Sequence, residues 1–184
     1  YTAWKLHENV GQTYDKTLPY GHHLSMVADA AMEYGHKVIE NESDIIPVIF
    51  AAYFHDSIED ARLTYNNVVS IAGRFMSGEQ THIAAEIVYA LTNDKGRTRS
   101  ERAGEHYYAG IRETPYAPFI KLCDRFANMT YCFNGTNESN LHMQKVYESE
   151  WSHFLQSITV SNSDNRFALP QSMLEEVEII MANN

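Results

Sequence analysis

The chain has 184 residues, a net charge of −10 from 24 acidic against 14 basic residues, and two cysteines, Cys123 and Cys132. A chain of this length fits one domain and buries about 70% of its unfolded surface, so it needs no disulfide framework. Both thiols read as small buried hydrophobes of a cytoplasmic protein. The acidic balance argues against a nucleic-acid polymer as partner, which asks for a basic stripe. With no run of about 18 apolar residues, no membrane span is expected.

The dominant period is helical. Leu24, Val27, Ala28, Ala31 and Val38 follow Tyr20-Gly21-His22-His23 at helix-like intervals. A second helix is expected to open at Ser43-Asp44, with Ser43 as N-cap and Pro47 in its first turn, and to run on through Phe54 into His55-Asp60. It is apolar almost all round, as a buried helix is. Tyr65 to Phe75 reads as a short helix, and Glu79 to Leu91 as a longer one that Thr92-Asn93-Asp94-Lys95-Gly96 breaks. Arg99 to Arg112 is helical but polar, which suggests a surface element. Further helices are expected over Phe119 to Cys132, Leu141 to Ile158, and Pro170 or Gln171 to Met181. The last carries Leu174, Val177, Ile180 and Met181 on one face. That face suits core closure first and a partner copy in a homo-oligomer second. The result is an all-α domain over residues 1–184 with about eight or nine helices.

Three stretches could carry chemistry. In His55-Asp56-Ser57-Ile58-Glu59-Asp60, helical spacing would put Asp56, Glu59 and Asp60 on roughly one face. Clustered carboxylates repel one another, and a helix C-terminus favours cations, so a bound cation explains them better than a solvated helix end does. His22-His23 supplies imidazoles from another helix. Asp124 is a carboxylate in the middle of an apolar helix, where Lys121 or Arg125 is an alternative partner. Two histidines and two aspartates form a mixed nitrogen–oxygen set suited to a divalent transition metal, which would activate water against a phosphate.

The pattern His…His-Asp…Asp resembles the HD superfamily of metal-dependent phosphohydrolases. His55 to Ala61, Lys121 to Met129, Pro19 to His23 and Thr92 to Lys95 look like motifs of the stand-alone alarmone hydrolases related to RelA/SpoT. The resemblance implies an HD-domain helical bundle. It also implies a metal, typically Mn(II), on His23, His55, Asp56 and Asp124, with Glu59 and Asp60 as the acid/base pair. Asn128 would touch the nucleoside side of a phosphorylated nucleotide, and the reaction would remove the 3′-diphosphate of (p)ppGpp. One segment departs from the family pattern: Tyr14 and Asp15 stand where the family has basic residues, one of which stacks on guanine. Tyr14 retains a ring for stacking, and Lys16, Lys95, Arg97 and Lys121 are the basic candidates for phosphate. Another nucleotide or small phosphate ester therefore stays open as substrate, and so does a non-catalytic nucleotide-binding module.

Overall fold

The structure, a computed structural model, describes residues 1–183; Asn184, the last residue of the expected domain, lies outside them. Its α-helices are α1 (Thr2–Asn9), α2 (Gly21–Tyr34), α3 (Ile45–Phe54), α4 (Tyr65–Ala72), α5 (Gly78–Ala90), α6 (Arg99–Arg102), α7 (Glu105–Glu113), α8 (Ala117–Phe133), α9 (Glu138–Ile158) and α10 (Gln171–Ala182). Apart from the single-turn α6, nine of these have eight residues or more, among the described residues. Between α1 and α2 a small antiparallel hairpin pairs β1 (Thr13–Tyr14) with β2 (Leu18–Pro19), in the register Thr13 to Pro19 and Tyr14 to Leu18. Asp15 and Lys16 turn it with positive φ angles of 46° and 64°.

Local sequence explains most helix starts. Thr64 with Asn67 and Ser77 with Gln80 close reciprocal capping boxes on α4 and α5, satisfying backbone N–H groups left over at helix N-termini. Asn137 caps α9 by accepting from the Asn140 N–H. α8 begins after Tyr116, a bulky residue held at φ 67°. Tyr116 is buried there, its hydroxyl donating to Asp44 at 2.6 Å and its N–H to the Arg166 carbonyl at 2.7 Å.

The core forms around α8, whose Phe119, Ile120, Leu122, Cys123 and Met129 are fully buried. α2, α3, α9 and α10 pack against it, and α2 packs on α3. Met173 and Val177 of α10 are fully buried, so that helix does close the core.

Four expectations need correction. α3 stops at Phe54, and residues 55–60 form turns rather than further helix. Its start is a 3₁₀ turn capped by Asn41, which accepts from the Ser43 N–H, so Ser43 is not the cap. Ile45 and Ile46 are exposed, so α3 is buried along most of its length but not at its first turn. The expected polar helix from Arg99 to Arg112 divides at Ala103-Gly104, and its second part buries Tyr107, Tyr108 and Ile111; three apolar residues spaced at i, i+1 and i+4 are enough to hold it to the core. α1 was not foreseen.

Candidate active site

Three helices in mutual contact bring their chemistry to one point. His23 lies in the first turn of α2, His55 caps the C-terminus of α3, and Asp124 sits midway along α8. His23 Nε2 is 3.3 Å from Asp124 Oδ1 and 3.8 Å from Asp56 Oδ2. His55 Nε2 is 3.0 Å from Asp56 Oδ2 and 3.8 Å from Asp124 Oδ1. Donors about 2.1 Å from one divalent ion lie about 3.0–3.4 Å from one another, so these separations fit a shared ion after small adjustments. Among the described residues, His23, His55 and Asp56 offer ligand atoms within 4.8 Å of one another, and Asp124 Oδ1 adjoins both imidazoles without joining that group.

A buried atom without a suitable partner supports that fit. His55 Nδ1–H donates to the Ala52 carbonyl at 2.9 Å, which leaves Nε2 to face the cluster with its lone pair. Nε2 is buried and, although 3.0 Å from Asp56, is not aligned with it as a hydrogen bond. An imidazole lone pair opposite a carboxylate is repulsive until a proton or a metal ion lies between them. The protonation states carry the same imprint. Burial pulls the His55 pKa down, but the Asp56 and Asp124 carboxylates outweigh it and raise it to about 9. Asp56 and Asp124 are both pushed up by burial. The His55 charge brings Asp56 down below the usual carboxylate range, and the Lys121 ammonium does the same for Asp124.

The surrounding residues hold this cluster in place. The Tyr20 hydroxyl donates to Asp56 Oδ2, and the Tyr20 ring stacks on the buried imidazole of His7, 4.6 Å between centroids. Lys121 Nζ donates to Asp124 Oδ2 at 2.9 Å, and Asn128 Nδ2 donates to Asp124 Oδ1 at 2.8 Å. Asn128 Oδ1 in turn accepts from the Tyr14 hydroxyl at 2.9 Å. A cavity of about 490 Å³ opens beside the cluster, and Asp124, Lys121, Asn128 and Glu59 are among its lining residues. A smaller one of about 170 Å³ lies beyond Asn128 and is lined by Tyr14, Asp15 and Tyr131 among others.

No family model matches the chain. A curated protein from Danio rerio, "Guanosine-3′,5′-bis(diphosphate) 3′-pyrophosphohydrolase MESH1", is 26% identical over 177 residues, which span 94% of this chain and 89% of that protein. The solved structure of a metazoan ortholog of SpoT, described as hydrolysing ppGpp, superposes with a TM-score of 0.59 at 16% identity, covering 98% of this chain and 94% of that one. The chain is similar in sequence to MESH1 and shares the all-α fold of the SpoT ortholog.

Within this fold the sequence-predicted residues fare unequally. His23, His55, Asp56 and Asp124 come together. Lys121 and Asn128 adjoin them, but the Asn128 amide is engaged at both ends inside the protein. Glu59 and Asp60 do not share one face with Asp56, because the helix has ended. Glu59 takes the Asn93 side-chain amide at 3.0 Å, and Asp60 takes that of Gln12 at 3.1 Å. Burial and the neighbouring Asp56 and Glu59 charges raise the Asp60 pKa to about 6. Tyr14 stacks on His23 at 5.1 Å, whereas Lys16 lies exposed in the hairpin turn and lines neither cavity. Lys95 and Arg97 are likewise exposed and away from both. Of the two cations considered for Asp124, Lys121 is the partner, and Arg125 pairs with Glu150 at 3.0 Å instead.

Sequence reasoning missed Tyr20, Gln12, Asn93 and Arg102. Tyr20 and Asn93 lie inside stretches already singled out. Gln12 lies just before Tyr14 and Asp15, in the same compared segment, whereas Arg102 carries no spacing signal, because the folding of a distant loop sets its position.

Proposed function

We propose that the chain is a metal-dependent phosphohydrolase, a single HD-type domain over residues 1–184, that removes the 3′-diphosphate of (p)ppGpp. The observation that carries this reading is the convergence of His23, His55, Asp56 and Asp124 beside a cavity that Glu59 also lines. Homology to a protein named as a guanosine-3′,5′-bis(diphosphate) 3′-pyrophosphohydrolase supports the choice of substrate. The donor set has two imidazoles, two carboxylates and no thiolate, which suits Mn(II). When bound, such an ion polarises a phosphoryl oxygen and lowers the pKa of a coordinated water.

The chain's own residues do the rest. Glu59 accepts a proton from the water that attacks phosphorus. Asp60, with a pKa raised to about 6, returns a proton to the ribose 3′ oxygen as the P–O bond breaks. Lys121 offsets phosphate charge, and Asn128 fixes the carboxylate of Asp124. The reading sets this activity in the cytoplasm, where the buried thiols of Cys123 and Cys132 stay reduced.

A second reading, a different phosphorylated nucleotide as substrate, draws on the hairpin. Asp15 there accepts from the Tyr131 hydroxyl at 2.8 Å, placing negative charge at the rim of the smaller cavity. The test is a panel of phosphorylated nucleotides assayed with Mn(II). Release of diphosphate from (p)ppGpp that disappears in Glu59→Gln supports the first reading. Turnover of other nucleotides alone transfers support to the second. Binding without turnover under any metal would identify a nucleotide-binding module and end both.

A further inference from the structure

Glu59 follows the helix that positions His55, yet it sits in a run of turns and draws no rigidity from α3. Its carboxylate is held from a different part of the chain. The Asn93 side-chain amide donates to Oε1 at 3.0 Å, and the Asn93 backbone N–H approaches Oε2 at 3.4 Å. One residue thus grips both oxygens, 34 positions away in sequence. The segment that carries Asn93 is itself fastened. The Asp94 N–H donates to the Arg102 carbonyl at 3.1 Å, and the Asp94 carboxylate meets His106 Nδ1 at 3.0 Å. The Arg97 and Thr98 N–H groups both donate to Glu101 Oε2, at 2.6 and 3.1 Å.

The same segment brings a cation. Arg102 lines the large cavity, with its side chain 47% exposed and its guanidinium 3.9 Å from Glu59 Oε1, longer than a direct hydrogen bond. The other cations that line that cavity are bound more closely. Lys121 is bonded to Asp124, and Arg125 is bonded to Glu150 and lies over the Tyr147 and Phe154 rings. A guanidinium that is loosely paired, half in water and beside the general base is suited to bidentate capture of an incoming phosphate.

We infer that the Asn93–Arg102 segment is a working part of the site: Asn93 is a positioning residue that aims Glu59, and Arg102 is a substrate-binding residue for the phosphate group. The inference rests on the hydrolase reading for its kinetic consequences, but both contacts can be measured without turnover. An Asn93→Ala variant should lower kcat at least 10-fold with KM changed less than threefold, while Asn93→Gln or Asn93→Ser recovers part of the loss. An Arg102→Ala variant should raise KM about 10-fold with a smaller effect on kcat, and Arg102→Lys should fall between. Calorimetry with inorganic diphosphate on metal-loaded protein should show binding weakened about 10-fold in Arg102→Ala and unchanged in Asn93→Ala. In ¹⁵N-labelled protein the Asn93 side-chain amide resonance should move when Glu59 is changed to Gln. An unchanged kcat in Asn93→Ala, or diphosphate binding indifferent to Arg102, overturns the inference. If the wild type turns over no nucleotide while the amide shift and the diphosphate effect are both seen, the hydrolase reading falls and the placement of Asn93 and Arg102 stands.

Discussion

Metal binding to this site should tighten as the pH rises, and its slope follows from the geometry. In the metal-free protein His55 donates from Nδ1 to the Ala52 carbonyl, so the proton that titrates is on Nε2, the atom that faces the other ligands. Burial opposes that proton, but Asp56 and Asp124 retain it to a pKa of about 9. The two aspartates are held below the usual carboxylate range and have no proton to release near neutrality. A metal ion entering below pH 9 must therefore expel the His55 proton, which costs a tenfold loss of apparent affinity, about 1.4 kcal/mol, per pH unit. Between pH 7 and 8.5 the Mn(II) affinity should rise roughly 30-fold. The sign for the metal-free protein is the opposite. Because the His55 pKa is raised from 6.5, its contribution to stability is full below pH 6.5 and is lost as the pH rises through about 9. The stabilisation conferred by added metal should accordingly widen with pH. Titration calorimetry in two buffers of different ionisation enthalpy gives both the affinity and the proton release. Affinity that stays flat from pH 7 to 8.5, with no proton released, would refute this account of the cluster. His55→Gln should abolish the pH dependence together with most of the binding.

Other consequences can be checked separately. Asp60→Asn should make the metal-free protein more stable at pH 7.5, because the raised pKa of the native carboxyl means stability falls as the pH climbs from about 4 through about 6; urea melts of the two proteins should converge near pH 4. Phe119→Ala empties a fully buried position on α8 and should cost about 3–5 kcal/mol in the same assay, and a loss below about 1 kcal/mol would contradict the packing. At Gly21 a Cβ would fall 2.1 Å from the Trp4 ring, so Gly21→Ala should drive that indole off α2 and shift the tryptophan fluorescence to the red. Tyr14→Phe removes the hydroxyl bonded to Asn128 and should cost about 1 kcal/mol of stability while leaving metal content unchanged; metal loss would mean that Tyr14 does more than brace Asn128.

The sequence made the cluster legible because its members announce themselves locally. His55-Asp56 ends the most apolar helix, Asp124 interrupts an apolar face, and His23 opens a periodic segment. Helical periodicity also placed α2, α5, α8 and α9 to within a few residues. The end of α3 was not legible, because residues 55–60 contain neither Gly nor Pro and would be acceptable in a helix. Its end is marked by local bonds that leave no composition signal: His55 turns its ring to the Ala52 carbonyl, and the Leu63 N–H closes on the Ser57 carbonyl at 3.0 Å. The divided Arg99–Arg112 segment was obscured as well, since the burial of Tyr107 and Tyr108 depends on what α9 and α5 bring to them. Lys16 shows the reverse error. A basic residue near the site in sequence is carried outward by the left-handed turn that delivers Tyr14 inward.

The break after Phe54 decides what the acidic stretch can do. Had α3 continued, Asp56, Glu59 and Asp60 would stand on one face and compete for one ion, and the charge of each would raise the pKa of the others. The turns give them different partners, although the Asp56 and Glu59 charges still help to raise the Asp60 pKa. Asp56 faces the two imidazoles, Glu59 faces Asn93 and the cavity, and Asp60 meets Gln12 beside the hairpin. Each carboxylate then has its own surroundings. Asp56 is pulled below its ordinary pKa and Asp60 is pushed above it, three carboxyl-bearing side chains within five consecutive residues. A metal ligand must stay ionised and a general acid works best with a pKa drawn up toward the working pH, so the reaction proposed uses this divergence. Restoring helical hydrogen bonding through residues 55–60 would cost the site its division of labour even if every side chain were retained.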